Sequence, residues 1–116
     1  MPYDQNNVFA KILRGEIPCQ KIFENDHVLA FKDIQPKAKY HVLIIPKGAY
    51  IDAYDFMSKA SDVELLAMNR AIAEVVKIFA LPEEGFRLIS NAGRDGGQEV
   101  PHYHVHLLGG ERLSRF

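Results

Sequence analysis

His102-Tyr103-His104-Val105-His106-Leu107-Leu108 is the stretch on which the reading of this chain turns. Histidine recurs at every second position, with aromatic or aliphatic residues between. Successive side chains of a strand leave on opposite faces, so a period of two gathers all three imidazoles on one face. A rise of about 3.3 Å per residue then sets neighbouring rings roughly 7 Å apart. Tyr103, Val105 and Leu107 point the other way, into a core. A single histidine on a strand is ordinarily a solvated or hydrogen-bonded side chain. Three in register, in a chain with only five, point to acid–base, nucleophilic or ligand chemistry.

Clustered imidazoles serve as metal ligands, as nucleophiles that form a covalent intermediate, or as pH sensors. The single Cys19 has no cysteine partner, and there is no His-x-His outside this stretch and no Cys-x-x-Cys. The run Asn91-Ala92-Gly93-Arg94-Asp95-Gly96-Gly97-Gln98-Glu99 lies just upstream. Its glycines allow backbone N–H groups to converge on an anion. Read alone, such a turn is equally a hairpin connection. Feeding a strand of histidines, it suggests a phosphoryl group held beside an imidazole nucleophile.

The 116 residues suffice for one domain and one core, residues 1–116. Fourteen Lys and Arg balance fifteen Asp and Glu, without a block of like charge, which argues against nucleic-acid and acidic-membrane surfaces. No apolar run reaches the ~18 residues that span a bilayer. The polar segment Met1–Asn7 is not expected to be a signal peptide, and a lone cysteine fits a reducing cytoplasm. Cys19 itself reads as a small apolar filler.

Val8, Phe9, Ile12 and Leu13 share one face of a two-turn helix, with Asn7 as N-cap and Gly15 as stop. Strands are expected at about Gln20–Glu24 and Val28–Asp33, joined by Asn25-Asp26. In the second, Leu29, Phe31 and Asp33 alternate onto one face; by composition alone, Asp33 is most simply a cap for the following turn. Tyr40–Pro46 carries apolar residues on both faces, the mark of a central strand, and its lone His41 is ordinarily a satisfied core residue. Lys47–Lys59 reads as irregular. Ser61-Asp62-Val63-Glu64 is a capping box opening a helix over Ser61–Ala80. Its stripe Leu65, Met68, Ile72, Val75, Val76 and Phe79 is core, while Val63, Leu66 and Ile78 widen the apolar surface. Phe86–Asn91 is the next strand. The fold expected is α+β: a five-stranded, mostly antiparallel sheet with one long and one short helix.

The pattern His-φ-His-φ-His-φ-φ, with φ apolar, closely resembles the signature of the histidine-triad (HIT) superfamily. Gly96–Val100, Leu107–Gly110, Phe31–Ala38 and His41–Pro46 resemble its bacterial Hint branch of purine nucleoside phosphoramidases, and the likeness runs from about Val8 to Gly110. The resemblance implies a nucleoside 5′-phosphoramidate substrate, a purine nucleotide derivative cleaved at P–N. It implies that His104 attacks phosphorus, that His102 supports it, and that His106 donates to a nonbridging oxygen. His41 would pack behind the triad and orient its first member. Asp33 would hold the ribose, and Phe9, Ile12, Ile17, Phe31 and Ile34 would line the base pocket. Asn91 with the backbone around Gly97, Gln98 and Glu99 would complete the phosphate cradle. No metal or cofactor is implied; a homodimer with a ten-stranded sheet is. Tyr103, Pro101 and the short tail depart from the family's habits. Competing readings are a dinucleoside polyphosphate hydrolase of the same superfamily, a nucleotide-binding interaction module, and a metal-dependent hydrolase.

Overall fold

The strand expected to be apolar on both faces lies at the centre of the sheet. The computed structural model describes residues 2–116. In chain order it contains α1 (Val8–Leu13), β1 (Lys21–Glu24), β2 (Val28–Lys32), β3 (Tyr40–Pro46), α2 (Ala53–Lys59), α3 (Asp62–Ile78), β4 (Phe86–Ile89) and β5 (Val105–Gly109). The strand order is β1-β2-β3-β5-β4, and all four pairings are antiparallel. β5 therefore inserts between β3 and β4, and β4 is left at an edge.

Local chemistry sets the boundaries. The Asn7 side-chain oxygen accepts the Ala10 N–H, which caps α1, and Gly15, at φ +78°, turns the chain out of it. Asn25 closes the β1–β2 hairpin by accepting the N–H groups of His27 and Val28. Ser61 and Glu64 form the reciprocal capping box that opens α3.

The alternation of β2 and β3 divides the interior in two. Val28, Ala30, Val42, Ile44, Val105 and Leu107 face α3 and join Phe56, Met68, Ala71, Val75 and Tyr103 in the larger core. Leu29, Phe31, Leu43 and Ile45 face the other way and pack with Phe9 of α1. Burying a Leu, Ile or Phe side chain is worth about 1.5–3 kcal/mol.

Three expectations are corrected. The region read as irregular contains α2, so there are two short helices beside the long one. Asp52 caps it by accepting the Asp55 N–H, Lys59 pairs with Asp55 at 3.0 Å, and Phe56 alone is buried. A seven-residue helix with one buried anchor offers no repeating stripe to detect. Several strands are also shorter than expected, β4 ending at Ile89 instead of Asn91. Finally, regular pairing in the triad strand begins at Val105, so His102–His104 lie ahead of it. The alternation nevertheless continues through them: Tyr103 lies in the larger core and stacks on Phe56, centroids 4.9 Å apart.

Candidate active site

The three imidazoles leave the face opposite α3, but they are not equivalent. His102 is fully buried, His104 is 6% exposed, and His106 is half-buried. The His104 and His106 rings lie 5.0 Å apart, closer than backbone rise alone suggests, because they tilt toward each other edge to face.

Hydrogen bonds fix the proton on each ring. A carbonyl only accepts, so the 2.7 Å bond between His104 Nδ1 and the His102 carbonyl puts the proton on Nδ1 and leaves Nε2 with a free lone pair. The 2.8 Å bond between His102 Nε2 and the Pro46 carbonyl likewise puts the His102 proton on Nε2. Its Nδ1 then accepts from the Tyr3 hydroxyl. On the third ring the reasoning runs through His41. The Lys37 N–H donates to His41 Nδ1, so the His41 proton is on Nε2 and is donated to His106 Nδ1 at 2.9 Å. His106 therefore carries its own proton on Nε2. One ring is left with an unprotonated nitrogen and its neighbour with a free N–H donor, which is the pairing a nucleophile and an oxyanion donor require.

Burial favours the same neutral forms. Desolvation pushes His102 and His106 down to about 4 and lowers His104 and His41 as well. For His104 the bond to the His102 carbonyl and the charges of Asp33 and Glu99 oppose burial without cancelling it.

A cavity of about 420 Å³ opens in front of these rings, lined by His41, His104 and His106 together with most of the residues singled out in the sequence. Phe9, Ile12, Ile17, Phe31 and Ile34 form one wall; Asp33, Asn91, Gly97 and Glu99 are also at its surface. Phe9 sets its edge against His104 at 4.9 Å. Ile34 is 93% exposed, so it forms an open rim. Asp33 combines two roles: its Oδ1 accepts the Gln35 N–H, the turn cap expected from composition, and its Oδ2 lies 3.4 Å from His41 Nε2. Cys19 packs beside the smaller core and also reaches the cavity.

Three roles implied by the resemblance do not fit the geometry. His41 touches His106, the third member of the triad, and not the first: β3 pairs with β5 so that Leu43 faces His106 and His41 faces Leu108. Gln98 does not line the cavity. Its side chain ties the loop together, donating to the Ile51 and Val100 carbonyls and accepting from the Gly93 N–H. The N–H groups of Gly97 and Gln98 are used within the turn, on the Arg94 and Gly93 carbonyls, and so do not face an anion. Two contributors carried no signal in the sequence. Tyr3 stands in a polar N-terminal segment, 99 positions from its partner. Ser90 Oγ donates to the His104 carbonyl at 2.9 Å and fixes the backbone of the central histidine.

Asp33, His41 and His106 bring three donor atoms within 4.8 Å of one another and are the residues best placed to hold a metal. In the neutral arrangement above, the His41 proton occupies the space between the two imidazoles.

The sheet, the three inward imidazoles and the cavity before them define a histidine-triad protein. A HIT domain model matches residues 14–113, and the chain belongs to the HIT family. A 13.2 kDa HIT-like protein of Azospirillum brasilense is 53% identical, over 97% of this chain and 92% of that protein. The purine nucleoside phosphoramidase of Escherichia coli K12 is 41% identical, over 95% of this chain and 92% of that enzyme. The crystal structure of a HIT family hydrolase from Legionella pneumophila superimposes with a TM-score of 0.84 at 43% identity, covering 94% of this chain and 96% of that one.

Proposed function

We propose that the protein hydrolyses the P–N bond of purine nucleoside 5′-phosphoramidates, as members of the Hint branch do, through a nucleotide transiently bound to His104. The observation that carries this reading is the proton placement: His104 Nε2 is bare while the neighbouring His106 presents an N–H. In the first step the His104 Nε2 lone pair forms a bond to phosphorus. The P–N bond breaks, and the nitrogen leaves as an amine after taking up one proton. In the second step a water oxygen bonds to phosphorus, the P–Nε2 bond breaks, and the water's proton is released. His106 Nε2–H and the Asn91 side chain stabilise charge on the nonbridging oxygens; one preorganised donor is worth about 3 kcal/mol. Asp33 accepts from the ribose hydroxyls, and Phe9, Ile12, Ile17 and Phe31 hold the base.

We further propose that the protein acts as a homodimer. Val63, Leu66 and Ile78 on α3 and Phe86, Leu88 and Ile89 on the edge strand β4 are all exposed, a combination that a two-fold contact would cover. A charge at Leu66 should then give monomers with impaired turnover. The activity itself is tested by turnover of adenosine 5′-phosphoramidate against diadenosine polyphosphates, with and without chelator. Preference for the polyphosphates would move the protein to the other hydrolase branch, and loss of turnover on chelation would require a metal.

A further inference from the structure

His102 does not line the cavity, yet both of its ring nitrogens are engaged and none of its surface is exposed. A fully buried imidazole with one unpaired nitrogen would cost about 1–3 kcal/mol. Pro46, on the central strand, satisfies Nε2. The other partner comes from the far end of the chain: the Tyr3 hydroxyl meets Nδ1 at 2.5 Å, with the two rings edge to face and 5.6 Å between centroids. Tyr3 is followed by α1, whose Phe9 rests against His104 and, at 6.3 Å, against His102. The N-terminal arm and α1 thus cover both histidines.

We infer that Tyr3 is a positioning residue for the triad: its hydroxyl, by donating to His102 Nδ1, locks the residue whose carbonyl holds the proton of His104. The path is continuous. The Tyr3 O–H fixes one end of the His102 ring and the Pro46 carbonyl fixes the other, so residue 102 cannot rotate. The carbonyl of that same residue accepts the His104 Nδ1–H at 2.7 Å, which aims Nε2 into the cavity. Tyr3 does not line the cavity. Its loss should therefore leave ligand binding intact while loosening the aim of the attacking nitrogen.

The catalytic half of this inference rests on the proposed reaction; the hydrogen bond itself does not. Tyr3→Phe keeps the ring and its packing and removes only the hydroxyl. In ¹⁵N-labelled wild-type protein, two-bond ¹H–¹⁵N spectra should show His102 protonated on Nε2, with its Nδ1 signal displaced by the accepted bond. In Tyr3→Phe the Nδ1 signal should move to the position of a free imine nitrogen. Turnover of adenosine 5′-phosphoramidate should fall roughly 10-fold in kcat, the scale of effect expected when an orienting group is lost. KM and AMP affinity should stay within about two-fold. Tyr3→Ala, which also removes the ring, should lose more activity and some thermal stability. An unmoved Nδ1 signal would overturn the hydrogen bond. Wild-type kcat in Tyr3→Phe, or a loss matched by equally weakened AMP binding, would overturn the positioning role. If wild-type protein lacks phosphoramidase activity while the Nδ1 signal shifts as described, the proposed reaction fails and the Tyr3–His102 bond stands.

Discussion

The two faces of the sheet are built on opposite terms. The face toward α2 and α3 is dry: its strand residues are Val, Ala, Ile and Leu, and with Tyr103 just ahead of β5 they meet Phe56 of α2 and the α3 stripe Met68, Ala71 and Val75. The other face is covered only in part, by α1, and four histidines stand where the first face has aliphatic side chains. Among the described residues no buried side-chain nitrogen or oxygen lacks a partner: these histidines are held by hydrogen bonds to Tyr3, Pro46, Lys37, the His102 carbonyl and one another, with the Nε2 atoms of His104 and His106 left free for the cavity. One face supplies stability without direction. The other uses directed bonds to place protons, and its apolar wall remains open for a ligand.

This contrast predicts that mutations on the two faces separate stability from activity. The largest effect belongs to His104→Ala, which should lower kcat by at least about 10³-fold while the fold and nucleotide affinity survive. Retention of a few per cent of activity would remove His104 from the nucleophile role. On the dry face, Leu107→Ala should cost about 2–5 kcal/mol of stability, measured by urea denaturation, with kcat largely preserved at a temperature where the variant is folded. A drop in kcat as large as that of His104→Ala would show that the faces are not separable.

Asp33→Asn should have a smaller and more selective effect. It keeps an oxygen to cap Gln35 but removes the charge proposed to accept from the ribose, so ribonucleotide affinity should fall by about 1.5–3 kcal/mol and dideoxy-ligand affinity much less. Equal losses in titration calorimetry would reduce Asp33 to a turn cap.

The smallest effect is expected near neutrality and grows in acid. His102 and His106 have folded-state values near 4, below the ordinary value of about 6.5. As pH falls below 6.5 the unfolded chain binds protons that the folded one refuses, so the stability these two rings contribute is fully present above that point and declines toward pH 4. Because the two imidazoles lie on the site face, away from Leu107, Leu107→Ala should show the same acid slope of Tm as the wild type, from a lower starting point.

The dry face was legible in the sequence because burial against a helix imposes a period, and the stripes of β3, β5 and α3 all show it. The three histidines were legible for a different reason: three in register are rare enough to mark a site by composition, whereas the other site residues came from the family resemblance and from no local pattern. What could not be read was the pairing among these residues. Whether His41 meets His102 or His106 depends on the register of β3 against β5, which no local pattern sets. The glycine-rich turn signalled backbone freedom, but not that the Gly97 and Gln98 N–H groups would be spent inside the turn. Tyr3 was invisible because its contact spans almost the whole chain. Helix α2 escaped because a single Phe56 anchors it.

The central claim is that His104 Nε2 attacks phosphorus and that the nucleotide passes through a covalent bond to that nitrogen. It is tested most directly by the stereochemistry of hydrolysis of a P-chiral adenosine 5′-phosphorothioamidate in ¹⁸O-labelled water. Two successive in-line displacements, by His104 and then by water, predict net retention of configuration at phosphorus. Net inversion would mean that water attacks directly and would contradict the account.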